Sequence, residues 1–161
     1  MPQTPQSPPE LPAIGFLEQM SDEDRKLLSS YGEFIDATEG SELIKEGEPQ
    51  GQLYLLLSGL LHVSRERNGT RTLLWRAAPG EAIGEVNVFD PGEGSADVTA
   101  HEDSRVWRVG REDLETFVDS HPASGAALML GISRMLSKRL RAMNERFAML
   151  QRAMADHAGW K

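Results

Sequence analysis

The sequence predicts a mainly β fold, an antiparallel sandwich or roll flanked by helices. Two observations carry that reading. From about residue 32 to Gly110, strand-like runs of four to eight residues alternate with glycine-bearing turns, the spacing of short antiparallel strands. After Gly110 the apolar positions move to a helical period, without a further proline beyond Pro122.

Along the chain, MPQTPQSPPELP holds five of the nine prolines and lacks the basic start and apolar core of a signal peptide. It reads as part of a disordered or polyproline-like lead-in over residues 1–19. Ser21 precedes Asp22, Glu23 and Asp24, a capping hydroxyl followed by negative charge at the positive end of a helix dipole. That helix should end near Tyr31-Gly32. EFIDA, ELIKE, LYLLL, LLHVSRE, RTLLWRA, ADVTA and RVWRV follow as strand candidates. Asn68-Gly69 is the strongest hairpin signal, because a type I′ turn requires positive φ at both central residues. REDLETFVDS predicts a short helix halted at His121-Pro122. These elements make up a domain over residues 20–122, with the tail over 123–161.

The tail predicts one long helix. Met129, Ile132, Leu136, Leu140, Met143, Phe147, Leu150 and Met154 recur at steps of three and four, a single apolar stripe. Arg134, Lys138, Arg139, Arg141, Glu145, Arg146 and Arg152 lie between them. A helix of some 30 residues is about 45 Å long. The stripe therefore runs beyond the reach of a roll this size. A second copy of the same helix is the expected cover, which makes the chain a homodimer through its long C-terminal helix. Folding back onto its own domain is the alternative.

Composition removes several function classes. A net charge of −8 argues against a nucleic-acid surface, and ADHAGWK after Met154 is too short for a helix-turn-helix. The chain has no cysteine, hence neither a disulfide framework nor a thiolate metal site, and a reducing cytoplasm is the simplest location. LYLLLSGLLHV is far too short to span a membrane. His62, His101, His121 and His157 are scattered, without the clusters of a metal-binding cupin or an HExxH helix. No G-x-S-x-G elbow or Walker loop is present, and the chain is not expected to be an enzyme. Asp90, Glu93 and Asp97 miss the EF-hand pattern and read as a solvated acidic loop. Trp75 and Trp107 lie in strand-like runs that place them in the core or at its rim, and Trp160 is near the terminus.

Residues 84–100, GEVNVFDPGEGSADVTA, complete the pattern. A helix, a glycine-punctuated roll in which Gly-Glu opens a short helical loop, then a short and a long helix together resemble the cyclic nucleotide-binding domain. The resemblance runs from about Met20 to Phe147. It is strongest at LYLLLSGLLHVSRERNGTRTLLWRAAPGEAIGEVNVF and at SADVTAHEDSRVWRV. It implies a double-stranded jelly roll of about eight strands and a regulatory sensor with cAMP or cGMP as its ligand and no other cofactor. The family's phosphate cassette reads roughly G-E, eight residues, then R-[ST]-A-x-V-x-A. Here Gly84-Glu85 is followed at that spacing by Gly94-Ser95-Ala96-Asp97-Val98-Thr99-Ala100.

By that resemblance Gly84 admits the ligand to the backbone and Glu85 accepts from the ribose. Val86 to Phe89 form a short helix facing the phosphate, and Ser95 and Ala96 bind it. Asn144 on the long helix matches a base contact. The family's arginine is absent, with Gly94 in its place. From Ala77 to Ser104 there is no Lys or Arg, while Glu81, Glu85, Asp90, Glu93, Asp97, Glu102 and Asp103 crowd the segment. A cyclic nucleotide is therefore expected to bind weakly or not at all, unless Arg139, Arg71 or Arg76 reaches in. The rival reading is a degenerate domain serving as a dimerisation or protein-interaction module. Its effector protein is not legible in the sequence.

Overall fold

The computed structural model describes residues 10–157. Helix α1 (Asp22–Ser29) is followed by strands β1 (Glu33–Ala37), β2 (Glu42–Ile44), β3 (Pro49–Gln50), β4 (Gln52–Ser58), β5 (Leu61–Arg67), β6 (Thr70–Ala77) and β7 (Ala82–Ile83). Then come α2 (Glu85–Phe89), β8 (Gly92–Glu93), β9 (Asp97–Ala100), β10 (Ser104–Gly110), α3 (Arg111–Ser120) and α4 (Pro122–His157). The strands form two four-stranded antiparallel sheets, ordered β1-β10-β4-β7 and β2-β9-β5-β6, with the pair β3-β8 beside them. This is the expected jelly roll. Ten strands replace the expected eight or so, the additions being two-residue pieces held by long-range pairing.

Local chemistry sets the elements where the sequence placed them. Ser21 Oγ accepts from the Asp24 amide at 3.1 Å and starts α1. Asn68 and Gly69 take φ of 54° and 74°, the turn that joins β5 to β6. The run LYLLL is continuously apolar because β4 is buried on both faces. Tyr54 and Leu56 enter the core between the sheets with Leu61, Val98 and Val106. Leu53 and Leu55 enter a second core, between sheet and helices, with Trp107, Val109, Leu114, Phe117, Leu128 and Ile132.

The lead-in is shorter than expected. Leu11, Phe16 and Leu17 are buried in the helical core, Phe16 and Leu17 in a single 3₁₀ turn (Gly15–Leu17), so residues 10–19 belong to the domain. The proline-rich start over residues 1–9 lies outside the described residues. Gly131 of α4 rests on this turn so closely that a Cβ there would overlap the Phe16 carbonyl.

Helix α4 has 36 residues, about 54 Å. Its first half packs on the 3₁₀ turn and α3, burying Leu128 and Ile132 and half-burying Met135. Every described residue after Arg139 is exposed. Among the described residues, no helix is long and apolar enough to cross a membrane.

Candidate functional site

A cavity of about 90 Å³ opens between the end of β7, helix α2 and the start of β9. Gly84, Glu85, Val86, Ser95 and Ala96, the residues matched to the cassette, all line it. Ile44, Val63 and Val98 from the inter-sheet core form its apolar side, and Trp75 of β6 stands at its edge. Pockets that enclose drug-sized ligands typically measure about 300–1,000 Å³, so this hollow is small beside them.

Backbone geometry explains why two of its residues are glycines. Gly84 has φ of 83°, and a Cβ there would overlap the Gln52 carbonyl of β4. Its freedom thus serves the seat of α2 on the sheet. Gly94 is different, because its restriction is space. A Cβ there would lie 2.7 Å from the Lys45 carbonyl oxygen and 3.0 Å from Ile44 Cγ2. Its amide donates to Glu48 O at 2.8 Å, and its carbonyl accepts from the Gly47 amide at 2.9 Å. At the arginine position of the pattern, this chain therefore has neither a charged side chain nor ready room for one.

The cations expected as rescues go elsewhere. Arg71 reaches Asp97 at 3.5 Å and Glu66 at 3.7 Å, while Asp97 also accepts from the Glu46 amide at 2.8 Å. Arg76 is exposed on β6. Among the described residues no Lys or Arg lines the cavity. Arg139 approaches it, but it meets Glu85 rather than Ser95. Its Nη1 bonds Glu85 Oε1, its Nη2 donates to the Ala82 carbonyl at 2.8 Å, and its guanidinium carbon lies 4.1 Å from the centre of the Trp75 ring. Glu85 is 7% exposed, so its carboxylate depends on that partner.

Asn144, the matched base contact, is exposed five positions beyond Arg139 and does not line the cavity. Asn144 therefore makes no contact with the cavity within one chain. Helix α2 is held from below, since Arg111 donates to the Asn87 carbonyl and Asn87 Nδ2 donates to Glu93 O at 3.0 Å. Nearby, the hydrogen bond from Arg67, with Arg65 beside it, lowers the Glu46 carboxyl from 4.5 to about 2.

Two histidines that look scattered in sequence meet across β5 and the end of β9. The rings of His62 and His101 stack 3.9 Å apart, and His62 Nε2 is buried with no partner. Burial, then the charge of His101, then that of Arg76 lower the His62 pKa from its ordinary value. The pair lacks a third ligand, as no cluster of three metal-binding side chains occurs among the described residues.

Fold and cavity together define a jelly-roll domain with a hollow beside its short helix. The family model described as the cyclic nucleotide-binding domain matches residues 35–121, more than half of the chain, and the chain belongs to that family. It is 30% identical over 115 residues to the CRP-like cAMP-activated global transcriptional regulator of Mycobacterium tuberculosis, covering 71% of this chain and 50% of that protein. The chain thus spans about half the length of that relative. A crystal structure of a cyclic nucleotide-binding domain from Methylobacillus flagellatus superposes with a TM-score of 0.75 at 25% identity, covering 79% of this chain and 72% of the other. The Thermus thermophilus catabolite activator protein gives 0.74 at 26%, covering 85% and 63%.

Proposed function

We infer that the chain is a regulatory domain that keeps the outline of a cyclic nucleotide site but binds cAMP and cGMP weakly or not at all. The observation that carries this is the state of the two polar positions. Gly94 cannot admit a cation without moving the Lys45 backbone, and Glu85 is already bonded to Arg139. Leaving a buried charge without its partner costs about 2–5 kcal/mol, roughly 30- to several-thousand-fold in affinity. The acidic loop of Asp90 and Glu93 adds negative potential against a phosphate. Titration calorimetry of the intact chain with cAMP and cGMP should give no saturable heat at micromolar nucleotide. A micromolar Kd for either would refute the reading.

Output from such a domain runs through α4 and a homodimer. Beyond Arg139, Leu140, Met143, Phe147, Leu150 and Met154 are 60–72% exposed, and their steps of three and four form a heptad seam. With Leu140 and Phe147 at a, Arg139 falls at g but is bonded to Glu85 of its own roll, which leaves Arg146 as the g-position cation, with Asn144 and Gln151 at e. Parallel pairing sets Arg146 against the neutral Gln151, whereas antiparallel pairing sets g against g, arginine against arginine. A parallel dimer is therefore the arrangement the charges favour. Sedimentation should show a dimer for the wild type and a monomer for Phe147→Glu. A monomeric wild type would leave α4 as a surface for the effector protein instead.

A further inference from the structure

We propose that the corner formed by Glu85, the Ala82 carbonyl and Trp75 is a guanidinium-binding site, and that Arg139 is its built-in, exchangeable occupant. Three independent groups converge there on one planar cation. A carboxylate with 9% side-chain exposure takes one nitrogen, a backbone carbonyl takes another at 2.8 Å, and an indole face lies 4.1 Å beneath the central carbon. Carboxylate, in-plane acceptor and aromatic face are together the complement of a guanidinium, and an ammonium uses them less well. The side chain of Arg139 retains 22% exposure, so the occupant is reachable from solvent. Ala82 opens β7 and Glu85 opens α2, so the corner is built from two adjacent elements.

The consequence is a change in what Glu85 meets. Where the family pattern gives this carboxylate a ribose hydroxyl, this chain gives it a cation. Arg139 is also the last residue of α4 that is not fully exposed, so it ties the roll to the free half of the helix. A guanidinium from outside that takes its place leaves the carboxylate satisfied and the helix untied. The proposal rests on the reading that no phosphate cation remains. It is tested separately, because nucleotide titration decides that reading alone.

The test is chemical rescue in the full chain, followed by NMR at the Trp75 indole N–H and the Ile83 and Glu85 amides. Ethylguanidinium is added at millimolar concentration, the range expected for so small a ligand. Arg139→Ala should show saturable shifts at these groups, at least tenfold tighter than any response of the wild type. Ethylammonium should do markedly less, and Arg139→Ala combined with Glu85→Gln should lose the response. Amide exchange should rise in Arg139→Ala both at residues 83–87 and at residues 136–143. Ethylguanidinium should restore protection at the first segment only, which separates occupancy of the corner from tethering of α4. Should Arg139→Ala not fold, Arg139→Gln provides the same comparison. Equal responses of wild type and variant, equal effects of the two cations, or a response that survives Glu85→Gln would overturn the proposal.

Discussion

Restoring the family's arginine by Gly94→Arg tests whether this chain lost only a charge. The structure predicts that it lost space as well, and Gly94→Ala isolates that component. A Cβ at this position starts 2.7 Å from the Lys45 carbonyl, whereas ordinary contact begins near 3.4 Å. The segment after β2 must retreat by most of an ångström, yet it is pinned there. Gly94 N to Glu48 O is 2.8 Å, Gly47 N to Gly94 O is 2.9 Å, and Glu46 N to Asp97 Oδ1 is 2.8 Å. Overpacking against a held backbone costs about 1–3 kcal/mol. For a chain of this size each kcal/mol lowers Tm by about 2–4 °C, so Gly94→Ala should melt roughly 2–12 °C below wild type by circular dichroism. Gly94→Arg should carry the same penalty and gain no micromolar affinity for cAMP in calorimetry. An unchanged Tm for Gly94→Ala, together with micromolar binding by Gly94→Arg, would refute the steric argument and leave a simple lost charge.

Two further outcomes follow from the geometry. Because the His62 pKa is lowered in the fold, the unfolded chain binds a proton more readily between that folded value and 6.5. Stability should therefore be present above about pH 6.5 and fall as the pH drops through the folded value. The urea midpoint should decline over this window in the wild type and decline less in His62→Phe, an equal decline counting against the stacked pair. The Glu46 contribution begins to be lost lower, from 4.5 down towards about 2. In α4, Gly131→Ala should destabilise by about 1–3 kcal/mol in urea melts, since its Cβ would meet the Phe16 carbonyl. A solvent-facing helical glycine would show the opposite sign, a gain of about 1 kcal/mol, and that result would dissociate α4 from the 3₁₀ turn.

The roll was legible because its signals are local. Glycine turns, the Asn68-Gly69 hairpin and the apolar run of β4 each depend on a few adjacent residues. Strands β3, β7 and β8 were not legible, since two-residue strands exist only through partners far along the chain. The lead-in was misjudged because its prolines outweighed Leu11, Phe16 and Leu17, whose burial depends on α4 and Gly131. At the site, five cassette positions line one cavity, whereas Asn144 does not. Arg139 was named as a possible phosphate partner and is found on Glu85 instead, 54 positions away in sequence. One signal did point to it. Arg139 lies four residues after the half-buried Met135 and seven after the buried Ile132, so a cation interrupts the packed edge of an apolar helix. Such a residue needs an acid on the facing element, and Glu85 is one of the two buried acids of the cassette, the other being Asp97.

The most direct measurement is a crystal structure of the intact chain grown with millimolar cAMP. The expected map shows density for the Arg139 guanidinium between Glu85 and Trp75, with no nucleotide against Ser95. A cyclic phosphate bound at Ser95 and Ala96, with Glu85 turned to its ribose and Arg139 displaced, would contradict it.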